Sequence, residues 1–142
     1  MLERYRFARY ALKFERAFKT DDWEAVMACF HPSATYTVVG SETEWDTVVH
    51  GPEAIVAFFK KMLDAADRKF DSRRPRPLGF PRVRDGELVL PWRATYTMGN
   101  DTVVLHGESR CRFSNGKIIA LGDTMRADET QRWIAMARSK AA

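Results

Sequence analysis

The chain has 142 residues, 45% hydrophobic and 30% charged, with a formal net charge of +4 at pH 7. These proportions suit one globular domain spanning residues 1–142, long enough to bury a core. No apolar run reaches membrane-spanning length and the charged start "MLERYRFARY" has no signal-peptide core, so a cytoplasmic protein with no membrane partner is expected.

Residues 3–18 carry Phe7, Ala11, Phe14 and Phe18 at helical spacing, which predicts a first amphipathic helix. "TDDWEAVMACF" (20–30) predicts a second: Asp21 or Asp22 can cap it, and Trp23, Val26, Met27 and Phe30 share a face. His31-Pro32 ends it. "ATYTVV" then reads as a strand and "TEWDTVV" as a shorter one. "GPEAIVAFFKKMLDAADRKF" (51–70) is the clearest helix, with Pro52 in the first turn, Glu53 favouring the dipole, and Ile55, Phe58, Phe59, Met62 and Ala66 as its buried stripe.

Beyond it the pattern changes to period two. A Pro-rich edge strand around 74–84 reaches an Asp85-Gly86 turn, followed by "ELVLPWRATYTM", "TVVLHGESRCRF" and, past Asn115-Gly116, "KIIALGDTM". "ADETQRWIAMARSK" closes the chain as a short helix. Three helices followed by a long meander predict an α+β domain in which a curved sheet wraps around helices and leaves a pocket on its concave face.

Positive charge clusters in two places. Residues 1–20 carry six Lys/Arg against two Glu, and residues 68–84 carry seven against one Asp. Such patches can attract nucleic acid or an anionic ligand. The second is interrupted by three prolines and matches no nucleic-acid motif, so a solvated strand edge is expected and no nucleic-acid partner. Cys29 and Cys111 lie far apart in apolar surroundings and read as reduced core thiols. His31 reads as a helix-end residue, and His50 and His106 have no visible partner. With no metal-ligand cluster, Ser-His-Asp order or phosphate-binding glycine loop, neither metal nor cofactor is expected.

Alternation assigns the strand faces. Val103, Leu105, Gly107, Ser109, Cys111 and Phe113 form the inner set of one strand, leaving His106, Glu108, Arg110 and Arg112 outside; Leu90, Trp92, Ala94, Tyr96 and Met98 form the inner set of its neighbour. Asp123 is the interesting carboxylate. A two-residue Asn115-Gly116 loop pairs Phe113 with Ile118 and turns Asp123 outward, opposite Glu108. A three-residue loop, Ser114 to Gly116, pairs Gly107 with Asp123 and turns it inward. Only the second agrees with the bulk of Ile119, Leu121 and Met125 and keeps like charges from facing each other, so an inward Asp123 is expected.

Three stretches in this order, "DDWEAVMACFHPSATYTV", "HGPEAIVAFFKKML" and "CRFSNGKIIALGD", resemble the NTF2-like superfamily of SnoaL-like polyketide cyclases, ketosteroid isomerase and limonene epoxide hydrolase. The resemblance implies a cone with three N-terminal helices on the concave face of a curved mixed or antiparallel sheet, a short C-terminal helix, and a homodimer through the outer sheet face. At the positions matching the ketosteroid isomerase proton-handling groups stand Phe14, Val38 and Ser109, which cannot do that chemistry. Asp123 matches an aspartate of limonene epoxide hydrolase, but the neighbouring Arg-x-Asp pair is reduced to "RAT", Arg93 to Thr95. What the resemblance leaves is one pocket carboxylate at a position relatives use for proton transfer.

The expected site therefore has Asp123 as general acid/base, with Tyr36, Trp92, Tyr96, Ser109, Phe14, Phe18, Phe58, Phe59 and Met125 around a small apolar molecule bearing one or two oxygens. Tyr10, one turn before Phe14, can reach the same region. The rival reading is a non-catalytic ligand-binding or dimerisation module, in which Asp123 only closes the cone. A third uses the arginines of 68–84 to capture an acidic ligand at its mouth.

Overall fold

The computed structural model describes residues 2–141. Helix α1 (Leu2–Thr20) leads into a single turn, α2 (Glu24–Met27), and then strands β1 (Phe30–Val39) and β2 (Thr47–His50). Helix α3 (Pro52–Ala65) precedes β3 (Ser72–Pro77), β4 (Arg82–Arg84), β5 (Glu87–Met98), β6 (Asp101–Ser114), β7 (Lys117–Met125) and the C-terminal α4 (Ala127–Ala141). The strands form one sheet in the order β2-β1-β7-β6-β5-β3, with β4 also paired to β5. Every pair is antiparallel except β1 with β7, so the sheet is mixed. The α+β architecture expected from the residue pattern, and the cone implied by the resemblance, are observed.

The faces follow the alternation. Leu88, Ala94 and Tyr96 of β5 and Val103, Leu105 and Cys111 of β6 are buried, while Arg110 and Arg112 are exposed on the other side beside Glu87. One core cluster joins α1 and α3 to the sheet through Phe7, Tyr10, Phe30, Tyr36, Phe59 and Leu121. A second joins α4 to the far end through Phe70, Tyr96, Leu105, Trp133 and Ala137. The cone is thus closed at one end by α4 and lined near the other by α1 and α3.

The Pro-rich edge read as one strand around 74–84 is two, β3 and β4, and three further local expectations need correction. The second helix does not extend over 20–30. Asp21 adopts a left-handed conformation (φ 61°) and terminates α1, its N–H donating to the Ala17 carbonyl at 2.7 Å. Asp22 accepts the Glu24 N–H at 3.3 Å, and the helix stops at Met27 because Phe30 is drawn into β1 opposite Ile118. Pro32 also disfavours a helical conformation at His31.

The third helix ends earlier than 70. It stops at Ala65, and Asp67–Lys69 form a separate 3-10 turn that brings Asp67 inside, where it is only 5% exposed.

The third correction concerns the β6–β7 turn. It is a two-residue loop pairing Ser114 with Lys117 and Phe113 with Ile118, with Asn115 (φ 52°) and Gly116 (φ 79°) both left-handed. A bulge follows: Arg112 faces Ala120, Ile119 is the unpaired extra residue, and Ser109 faces Asp123. Asp123 therefore lies on the inner face as expected, but a bulge in the strand puts it there instead of a longer turn.

Candidate functional site

Asp123 sits in β7 between Ser109 of β6 and Val38 of the parallel β1. Two residues before Val38, on the same face of β1, Tyr36 points to the same spot. Its hydroxyl donates to Asp123 Oδ2 at 2.6 Å, and the Ser109 hydroxyl donates to Oδ1 at 2.5 Å. Each carboxylate oxygen keeps a further lone pair for another donor. Among the described residues Asp123 makes no salt bridge, and the bonds it receives come from neutral groups.

These groups line a cavity of about 210 Å³ on the concave face. Burial pushes the Asp123 carboxyl above the ordinary aspartate range, against the pull of the Ser109, Tyr36 and Trp92 side chains. Burial first, then the Asp123 charge, also raises the Tyr10 and Tyr36 hydroxyls well above the usual phenol value, so both stay protonated and serve as donors. Tyr10 lines the cavity while packing on Phe7, Phe14 and Phe30. Cys111, in the same core cluster, is a free thiol that burial pushes up to about 12, which keeps it unreactive.

Of the residues expected at the site, Phe14, Tyr36, Phe59, Trp92, Tyr96 and Ser109 line this cavity with Asp123. Three stand behind the lining. Phe18 lies 4.8 Å from the Arg73 guanidinium, Phe58 packs between Tyr36 and Trp45 at 5.8 Å from each, and Met125 faces Gly107 across the β6–β7 ladder. Arg93 is exposed, in keeping with its outward parity.

The residue pattern did not reveal a second polar cluster in the same cavity. Buried Asp67 accepts Tyr96 Oη at 2.8 Å and Arg73 Nε at 2.9 Å on one oxygen, and Arg73 Nη1 donates to Glu15 at 2.6 Å. Burial raises the Asp67 carboxyl, with Arg73 pulling the other way. Asp67 was hidden inside a segment read as continuous helix, and Arg73 inside one read as a solvated edge. The available signal was slight: Arg73 is the first of the Arg73-Arg74 pair ahead of Pro75, and it stands opposite the inward Tyr96 across the ladder. Trp133 of α4 completes this end of the cavity, and its Nε1 is buried with no hydrogen-bond partner among the described residues. Among the described residues no group of three or more His, Cys, Asp or Glu could hold a metal ion, and no helix is long and apolar enough to cross a membrane.

A model of the SnoaL-like domain family matches residues 11–121. No curated protein sequence matches the chain. Solved structures share its fold at low identity. TerC co-crystallised with polyporic acid is 14% identical, with a TM-score of 0.70 over 90% of this chain and 97% of that one. An NTF2-like protein of unknown function from Burkholderia pseudomallei is 18% identical, with a TM-score of 0.70 over 91% and 97%. An LEH-like epoxide hydrolase from M. tuberculosis is 12% identical, with a TM-score of 0.63 over 92% and 90%.

Proposed function

The chain belongs to the SnoaL-like domain family, built on the NTF2-like cone, and we propose that it is a cofactor-independent enzyme in which Asp123 moves a proton on a small, largely apolar, oxygen-bearing substrate. The observation that carries this reading is a carboxylate facing a cavity, held by two hydroxyls and paired with no cation. A carboxyl raised above the ordinary aspartate range by burial is a stronger base than a solvated one, and an isomerase or cyclase requires a group that accepts a proton and returns it. Tyr36 and Ser109 orient it, Tyr10 brings a further hydroxyl to the lining, and Phe14, Phe59 and Trp92 form apolar walls. A cavity of about 150 Å³ is enough for benzene. The 210 Å³ here suits a single substituted ring.

The test is deuterium exchange into 2-cyclohexenone in D2O, followed by NMR. The wild type exchanges above the buffer rate, and Asp123→Asn loses at least about 100-fold while remaining folded. Exchange by neither protein, with unchanged ligand affinity, favours the non-catalytic binding module. The same reading makes the outer sheet face around Glu87, Glu108, Arg110 and Arg112 the surface for a second copy, which sedimentation of the wild type against Arg110→Glu tests.

A further inference from the structure

Asp123 is not the only pole of the cavity. It belongs to β7, whereas Arg73 belongs to β3, separated from β7 in the sheet by β6 and β5. Curvature of the sheet brings both to one cavity, and the Tyr36 hydroxyl feels the charges of both Asp123 and Asp67, the partner of Arg73. Arg73 uses two of its roughly five N–H donors on Asp67 and Glu15, through Nε and Nη1. Nη2 takes part in neither pair. The guanidinium is also fixed in place, 4.8 Å from the Phe18 ring and 6.0 Å from that of Phe14. Its side chain is 13% exposed, so the site holds a rigid, permanently charged donor shielded from bulk water.

We propose that Arg73 is the oxygen-binding group of this site: Nη2 takes the carbonyl oxygen of a conjugated ketone, and with it the negative charge that grows there during proton transfer. This rests on the proton-transfer role of Asp123 and names the substrate class as ketone instead of epoxide. In the step, a C–H bond conjugated with the carbonyl breaks and its proton passes to Asp123. The bond's electron pair forms a new C=C, and the carbonyl π pair moves onto oxygen as an enolate held by Arg73. Return of the proton from Asp123 to another carbon restores both residues and gives an isomer, with no co-reactant. A donor held in position before the charge appears needs no reorganisation when it does. Arg73 suits this better than the neutral Tyr10 hydroxyl, because a charged donor makes the stronger hydrogen bond to an anion.

The experiment uses 4-nitrophenol, a single ring whose neutral and ionised forms differ in absorbance and whose phenolate resembles the enolate. Wild-type protein binds it and raises its ionised fraction above that of the free probe at the same pH. Arg73→Met weakens binding at least tenfold, leaves the bound probe neutral, and lowers 2-cyclohexenone exchange about 100-fold. Because Arg73→Met strands Asp67, the double variant Asp67→Asn/Arg73→Met is measured beside it, with thermal melts confirming that each is folded. The proposal is overturned if the wild type does not bind the probe, if a folded Arg73 variant keeps the phenolate signal, or if Tyr10→Phe alone abolishes it. Asp123→Asn, which removes a negative charge from the same cavity, does not lower the signal. A phenolate signal that depends on Arg73 in a wild type that exchanges no ketone protons therefore refutes the role of Asp123 and retains that of Arg73.

Discussion

Trp92 occupies the space that a side chain at position 107 would need: a Cβ on Gly107 would come within 2.7 Å of Trp92 Cε2 and of the Thr124 carbonyl oxygen. The two residues face each other across β5 and β6, and the missing Cβ lets the indole line the cavity beside Asp123. Gly107→Ala is expected to cost about 1–3 kcal/mol through overpacking and to weaken 4-nitrophenol binding as the indole is displaced. Urea denaturation and a binding titration check both. Unchanged stability and affinity would show that Trp92 has room to move.

The pH dependence of stability follows from the raised Asp123 carboxyl. An aspartate whose folded-state pKa exceeds its unfolded value binds more proton in the folded state. Its contribution is present in full below the unfolded pKa, near 4, and is lost as pH rises through the folded value. Asp67 is shifted in the same direction. Wild-type melting temperature should therefore decline as pH rises from about 4, and Asp123→Asn should remove part of that decline. Melts recorded across this range in both proteins test it; parallel curves would contradict the raised carboxyl.

Tyr36→Phe deletes a hydrogen bond that favours the ionised carboxylate. The Asp123 pKa should rise further, moving the midpoint of the exchange-against-pH profile upward and lowering the rate at neutral pH. The stability loss should be about 1–3 kcal/mol. An exchange profile with its midpoint unmoved would mean that the 2.6 Å contact is not formed in solution.

Arg73 and Glu15 make one ion pair, yet the two substitutions should differ sharply. Arg73→Met leaves Asp67, 5% exposed, without its cation and should cost about 3–5 kcal/mol. Glu15 is 39% exposed, so Glu15→Gln should cost about 1 kcal/mol or less. Denaturation midpoints of the two variants decide. Equal losses would place the anchoring charge at Glu15.

Much of this architecture was legible in the residue pattern. The inner sets of β5 and β6 followed from strict alternation, α3 began at Pro52, and the Asp85-Gly86 and Asn115-Gly116 turns fell where their chemistry allows left-handed backbone. The site was half legible. Asp123, Tyr36 and Ser109 could be brought together from strand faces, because a period of two leaves only the register open. Asp67 and Arg73 could not. Asp67 continued an apparently helical run, and Arg73 was one of seven basic residues in its segment.

The amino-acid order alone determined the type of each principal element and the side each strand turns inward, because period, caps and turn residues act between near neighbours. Tertiary structure alone decided the bulge at Ile119, the end of α3 before Asp67, and the burial of Arg73. Each depends on a partner distant in the chain: the β6 ladder for Ile119, and Tyr96 and Glu15 for the Asp67–Arg73 pair. A charge inside a protein is tolerated only where such partners converge, and no local pattern reports that convergence.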